Sequence, residues 1–287
     1  MNILKDERLA NYCSYRIGGA AAHLALPKKT DDLIELITWA KAHSTAFEII
    51  GLGTNLLIAD EGYNGLIISL RDFEKFCVRK GGSLIAGGGV ALSELVNFAC
   101  SEGLSGAEKL AGIPGSIGGA LKMNAGAFGV EIKDILLRAN TLSCISLQEK
   151  TFTVDELALS YRQAASLNGR VVLAAEFSFT EGDKREIRRK TDEILTLRAQ
   201  KHPLEYPSCG SVFKRTETAP AAKLIEACAL KGKRAGGAEI SQKHANFIVN
   251  RGGAKARDVL ELIQEAKSEV FKKFGVLLEE EVKFLGL

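Results

Sequence analysis

Residues 112–129 read GIPGSIGGALKMNAGAFG, six glycines in eighteen positions. So many glycines leave little side chain for a core, yet the run is too apolar for a disordered linker. Glycine reaches positive φ and lets backbone approach a ligand closely. Successive backbone N–H groups held this way form a cradle for phosphate oxygens. A second run of the same character, GLGTNLL, stands upstream at 51–57. Two cradles in one chain predict a ligand with an extended phosphate, such as a dinucleotide. Neither run is a standard fingerprint. Leu56 stands where G-x-G-x-x-G needs its third glycine, and no glycine is followed by Lys-Ser or Lys-Thr at Walker A spacing. Taken alone, GLGTNLL also reads as a tight turn.

The 287 residues correspond to two domains, or three small ones. Net charge is 38 − 35 = +3, too small to argue for nucleic acid. The basic cluster Arg188, Arg189, Lys190 stands among Glu186, Asp192 and Glu193, the pattern of a solvated helix face. Nucleic-acid-binding motifs are absent. Six scattered cysteines form no CxxC pair and four scattered histidines show no ligand spacing, so no metal site is expected. Lys5, Asp6, Glu7 and Arg8 follow closely on Met1 and rule out a signal-peptide apolar region there. No apolar run nears the roughly 18 residues that span a bilayer. These features predict a cytoplasmic protein with free thiols and no membrane insertion.

Outward from the glycine runs, hydrophobic periodicity predicts a helix over 31–42 and strands at 47–50 and 66–70, which bracket the first cradle. A strand near Leu84, three glycines at 87–89 and a helix capped by Ser93 and ended by Gly103 come next. Strands are expected at 135–147 and 171–179, then a charged helix over 183–200. KHPLEYP (201–207) ends it with two prolines. The last segment reads as helix 220–229, strand 247–249, helix 259–274 and strand 281–285. In that last strand Glu281 and Lys283 would share one face, Val282 and Phe284 the other. Strands and helices mix without strict βαβ alternation, so the fold class is α+β.

Three polar positions stand out, each with a plain structural reading beside the chemical one. Ser211, in a loop after Gly210, lacks the G-x-S-x-G frame of an elbow nucleophile and reads equally as a turn residue. Arg162 reads as a surface arginine, and Glu281 as part of the acidic run 279–281. His244 reads as a structural histidine at a strand start. Composition and spacing name no reaction.

The motifs in order carry more. SYRIGG (14–19), GLGTNLLIAD (51–60), GIPGSIGGALKMNAGAFG (112–129), SYR (160–162), SCGSVFK (208–214), KLIE with LKG (223–232), KHANFIVN (243–250) and EEEVKFLG (279–286) span nearly the whole chain. Together they resemble the UDP-N-acetylenolpyruvoylglucosamine reductases, flavoenzymes of bacterial peptidoglycan precursor synthesis. With eighty residues after the proline break, the chain resembles the shorter, second type. The resemblance implies two subdomains (1–70 and 71–200) holding FAD in the vanillyl-alcohol-oxidase-type fold. It also implies a C-terminal α+β substrate-binding domain (201–287). NADPH would reduce the flavin, and the reduced flavin the enolpyruvyl ether of a UDP-sugar, whose neighbouring carbon must then be protonated. Partners would be these small molecules alone, with the chain a monomer.

Site residues carry over by motif. Ser211 matches the proton donor, Arg162 the arginine that stabilises the enolate-like intermediate, and Glu281 the glutamate at the substrate carboxyl end. A glutamate beside a substrate carboxylate meets a like charge, so the resemblance implies a raised Glu281 pKa and a shared or held proton in the complex. Gly51, Leu52, Gly53, Thr54, Asn55 and Leu56 would approach the FAD pyrophosphate. So would Gly112, Pro114, Gly115, Ser116, Gly118 and Gly119, with Asn124, Ala125 and Gly126 lining the same cleft. Lys201, Lys214, Lys243 and His244 are candidates for the UDP-sugar, beside Arg162. The chain departs from the family pattern at Thr54, where serine is usual, at Arg215-Thr216, and at Ala229, where glycine is usual. The competing readings are another oxidoreductase on the same scaffold and a flavin-free nucleotide-binding module. The CGSVF and EVKF segments argue against the first, and a flavin-free folded protein would favour the second.

Overall fold

The computed structural model describes residues 2–287. The chain forms two compact units from interleaved segments. One comprises residues 2–4, Leu24–Leu52 and Leu66–Arg198; the other comprises Lys5–His23, Gly53–Gly65 and Ala199–Leu287.

The first unit is built on a five-stranded antiparallel sheet. Its order is Glu149–Thr153, Leu136–Ser143, Arg170–Ser178, Ser83–Gly87, Cys77–Lys80. The central strand carries Val171, Val172, Leu173, Ala175 and Phe177, all buried, because both of its faces are covered. The two edge strands are mostly exposed and show no apolar alternation, so sequence periodicity misses them. Leu92–Glu102 buries Leu92, Leu95, Val96 and Ala99 at helical spacing, in one core with Leu84, Ala86 and Ile117. Its N-terminus differs from expectation. Ala91, not Ser93, is the cap residue, and its N–H donates to Glu94 Oε2 at 3.0 Å. Gly103 ends it at φ 72°, as expected. Thr30–Ala42 buries Leu33, Leu36, Ile37 and Ala40, and Phe47–Ile50 pairs in parallel with Leu66–Ser69.

The second unit holds a three-stranded antiparallel sheet of Arg234–Ala235, Ala238–Ile240 and Ile248–Asn250. Ala256–Phe274 runs along it with Val259, Leu262, Ile263, Ala266 and Val270 buried. A short helix, Ala221–Ala227, starts after Pro220, whose fixed φ suits a helix start. Leu56–Ile58, at the end of the GLGTNLL run, is itself a strand and pairs in parallel with Lys283–Leu285. Glu281 therefore precedes the last strand rather than opening it. The expected alternation fails too: Phe284 is 42% exposed while Val282 is buried. A three-residue strand pinned by one parallel neighbour imposes no two-sided pattern.

Candidate active site

In the first unit, the two glycine runs adjoin. A Cβ on Gly51 would lie 2.7 Å from Ser116 Oγ, so only glycine fits there. Ser116 is buried and caps the helix Ile117–Lys122, accepting from Gly119 N at 3.3 Å. Not every amide of the run is available to a ligand. Ile117 N donates to Val90 O (2.8 Å) and Gly118 N to Gly88 O (2.9 Å), tying the loop to the strand-end glycines. Gly118 and Gly119 thus spend their amides inside the protein. The amides of Gly51, Leu52, Gly112, Gly115 and Ser116 have no such partner among the described residues. Gly112 and Gly115 stand at φ 72° and 126°, in conformations that few side chains tolerate.

The far end of the run is organised by Asn124. This fully buried side chain sits at φ 38° and donates from Nδ2 to Glu131 Oε2 (2.9 Å) and Ser160 O (3.1 Å). Its Oδ1 accepts from Lys133 N at 3.1 Å. Ser160 belongs to the tight turn that carries Arg162, closed by reciprocal backbone bonds between Ser160 and Gln163. Arg162 is itself in the left-handed region, at φ 56°, an unfavourable backbone for a long side chain. Its guanidinium donates to Asn124 O (3.4 Å) and Gly126 O (3.1 Å) and lies over the Tyr161 ring at 4.9 Å. The structure therefore brings Arg162 onto Asn124–Gly126, a contact across 36 residues of sequence.

In the second unit, Gly53 sits at φ 66°, where a Cβ would stand 2.1 Å from Tyr12 O. Its carbonyl accepts from Ser14 N at 3.0 Å, and Ser14 Oγ donates to Ser208 O at 2.6 Å. The neighbouring Cys209 is buried, and burial pushes its thiol up to about 12. It is a core thiol, not a nucleophile. Ser211 follows Gly210, at φ 80°. The residue after it, Val212, accepts from Glu281 N at 2.8 Å, and Asn55 Nδ2 donates to Glu281 O at 3.0 Å. Ser211, Glu281 and Asn55 come from three distant segments and are gathered at one place.

Asn246 holds the Ser211 loop, and sequence reasoning did not single it out. Its Oδ1 accepts from Phe213 N (2.9 Å), its Nδ2 donates to Phe213 O (2.8 Å), and its own carbonyl accepts from Val212 N (2.9 Å). The only signal was its place in KHANFIVN. Among the expected UDP-sugar ligands, Lys201 is exposed, Lys214 is paired with Glu279, and Lys243 donates to Ala199 O at 2.6 Å. His244 packs edge-on against His202 and Phe247, and burial followed by the Lys231 charge lowers its pKa.

Known proteins resemble this chain over its whole length. Residues 202–285 match the family model described as UDP-N-acetylenolpyruvoylglucosamine reductase, C-terminal domain, and 21–144 match an FAD binding domain. The chain is 43% identical to the UDP-N-acetylenolpyruvoylglucosamine reductase of Latilactobacillus sakei over 100% of its own length and 94% of that protein. The chain belongs to the UDP-N-acetylenolpyruvoylglucosamine reductase family. Its relative in Carboxydothermus hydrogenoformans is 42% identical over 99% of this chain and 94% of its own. A solved reductase of the family, from Thermus caldophilus, superposes with a TM-score of 0.83 at 32% identity, covering 99% of this chain and 98% of that one. The 6-hydroxy-D-nicotine oxidase of Arthrobacter nicotinovorans matches at a TM-score of 0.63 and 15% identity, over 97% of this chain and 86% of its own, and shares the fold alone. The glycine loops suit the flavin dinucleotide of this reductase family. The amides of Gly51, Leu52, Gly112, Gly115 and Ser116 have no backbone partner among the described residues, and a Cβ at Gly51 or Gly112 would stand within 3 Å of a neighbouring side chain, a cradle that a pyrophosphate would suit.

Proposed function

We propose that Arg162, Ser211 and Glu281 carry the chemistry of this chain. It is an FAD-containing oxidoreductase that uses NADPH to reduce the enolpyruvyl ether of UDP-N-acetylglucosamine enolpyruvate to UDP-N-acetylmuramate in peptidoglycan synthesis. FAD, when bound, supplies the hydride chemistry. The amides of Gly51, Leu52, Gly112, Gly115 and Ser116 would hold its pyrophosphate. Gly118 and Gly119 would contribute close approach rather than donors. We also propose that the division 1–70, 71–200 and 201–287 separates cofactor from substrate functions.

The single observation that best supports the assignment is the gathering of Glu281 beside the Ser211 loop, through Glu281 N to Val212 O. The Ser211 hydroxyl is the proton donor to the substrate carbon next to the carboxylate. Asn246 fixes the loop so that the hydroxyl is presented in one geometry. Arg162 opposes the negative charge that develops on the substrate, and its planar, permanently charged group can grip a carboxylate through two bonds. Glu281 faces the substrate carboxyl end and holds a proton there. Lys201, Lys214, Lys243 and His244 are proposed for the UDP moiety. Lys214 and Lys243 would have to exchange their present partners for it. We take the chain to act as a cytoplasmic monomer, which the elution volume of the holoenzyme checks.

The test separates the half-reactions. Ser211→Ala is expected to leave flavin reduction by NADPH intact and to slow enolpyruvyl turnover by about 10²–10⁴-fold, the range for a lost general acid. Equal slowing of both half-reactions would contradict the proton-donor role. In the same assay Glu281→Gln is expected to change the pH–rate profile; an unchanged profile would remove the proton from Glu281.

A further inference from the structure

Arg198 lies near the end of the helix Lys184–Lys201 and is the last residue of the first unit. The glycine run begins against its side chain. A Cβ on Gly112 would stand 2.9 Å from Arg198 Cδ and 3.1 Å from its Nε. That Nε is closed off from solvent and has no hydrogen-bond partner among the described residues. Burial alone lowers the arginine's pKa, with no neighbouring carboxylate to offset it. Arg198 as a whole is only half-buried, but a guanidinium does not give up its charge, so a closed-off Nε without a partner is unfavourable unless an anion accompanies it.

The surroundings indicate which anion. Gly112, Gly115 and Ser116 present partnerless amides in the same loop, and Gly51 of the other glycine run abuts Ser116. Backbone amides contribute partial charges only, and a pyrophosphate carries two negative charges. We infer that Arg198 is a binding residue for a phosphate-type anion on the glycine loops, and supplies the fixed positive charge that the amides lack. This rests on the proposed role of those loops. Three sources share the chemistry, the pyrophosphate of FAD and the diphosphates of NADPH and of the UDP-sugar. The adjoining amides favour FAD.

The experiment uses purified holoenzyme carrying Arg198→Gln, which keeps the stem packed on Gly112 and removes the charge, beside Arg198→Lys and Arg198→Ala. Flavin fluorescence recovered on serial dilution reads the FAD dissociation constant, and steady-state kinetics read KM for NADPH and for the UDP-sugar. Loss of a charge-assisted bond predicts FAD held about ten- to a hundredfold more weakly in Arg198→Gln, with partial rescue in Arg198→Lys and both KM values unchanged. Unchanged FAD affinity with a tenfold higher KM for one substrate would also support the anion site, with that substrate as its source. If all three constants stay within about twofold in Arg198→Gln, the inference is overturned. It is equally overturned if Arg198→Ala loosens FAD while Arg198→Gln does not, since packing alone would then be the role. Gly51→Val, measured in parallel, tests the loops apart from the arginine. Retained FAD in both Gly51→Val and Arg198→Gln would remove the loop reading; retained FAD in Arg198→Gln alone, with both KM values unchanged, would remove only the arginine.

Discussion

Asn246 devotes its entire side-chain amide to the backbone of one residue, accepting from Phe213 N and donating to Phe213 O. Both groups of Phe213 are buried, so truncation would leave a donor and an acceptor without partners. Each costs about 1–3 kcal/mol. Asn246→Ala is therefore expected to lower stability by about 2–4 kcal/mol in urea unfolding, with a fall in enolpyruvyl turnover as the Ser211 loop loosens. A wild-type unfolding midpoint would mean the clamp contributes nothing. Arg162 illustrates the complementary case, a residue held in an unfavourable backbone region so that its guanidinium meets Asn124 O and Gly126 O. Resemblance of short motifs made Arg162, Ser211 and Glu281 legible as candidates. Asn246 was not, because an asparagine in KHANFIVN carries no periodic or compositional signal. Its role exists only through a pairing 33 residues away.

At the scale of elements, helix ends explain one departure from the family pattern. Ala221–Ala227 closes with Cys228 as the C-cap, and Ala229 follows at φ 58°. That is the left-handed position where glycine is the usual residue and where a Cβ costs about 1–2 kcal/mol. Ala229→Gly is expected to raise stability by about 1 kcal/mol, less than the full strain because glycine also frees the unfolded chain. Chemical denaturation at matched FAD saturation measures it, and a loss of stability would show that the alanine methyl makes contacts worth more than the strain. Long amphipathic helices such as Thr30–Ala42 and Ala256–Phe274 were readable within a turn, because their buried positions recur every three or four residues. The edge strands Cys77–Lys80 and Glu149–Thr153 were not, because an exposed edge has no buried face to write into its sequence.

The molecule as a whole depends on its cofactor for more than chemistry. Loops whose amides lack internal partners are incompletely satisfied until a ligand accepts from them. A ligand that binds the folded but not the unfolded chain stabilises by about 2.7 kcal/mol at a hundredfold excess over its dissociation constant. For a chain of this size that corresponds to roughly 5–10 °C in Tm. Removing FAD is expected to lower Tm by that amount, with a Tm that climbs as FAD is returned. A Tm indifferent to FAD concentration would mean that the loops do not take part in binding. Among the described residues no helix is long and apolar enough to cross a membrane.

The sequence by itself determined the α+β class, the positions of the main helices, the two glycine runs and the family. Each of these is written in neighbours a few residues apart, or in motif order along the chain. Tertiary structure decided which amides of the glycine runs are used internally. It placed Gly51 against Ser116, assigned the amides of Ile117, Gly118 and Gly119 to internal bonds, and left those of Gly112, Gly115 and Ser116 without a backbone partner among the described residues. It also decided that Glu281 lies beside the Ser211 loop and before its strand, and that Asn246 clamps Phe213. The physical reason is that a hydrogen bond between segments tens to hundreds of residues apart depends on how each is buried and in what register it pairs. No local pattern encodes that partner choice.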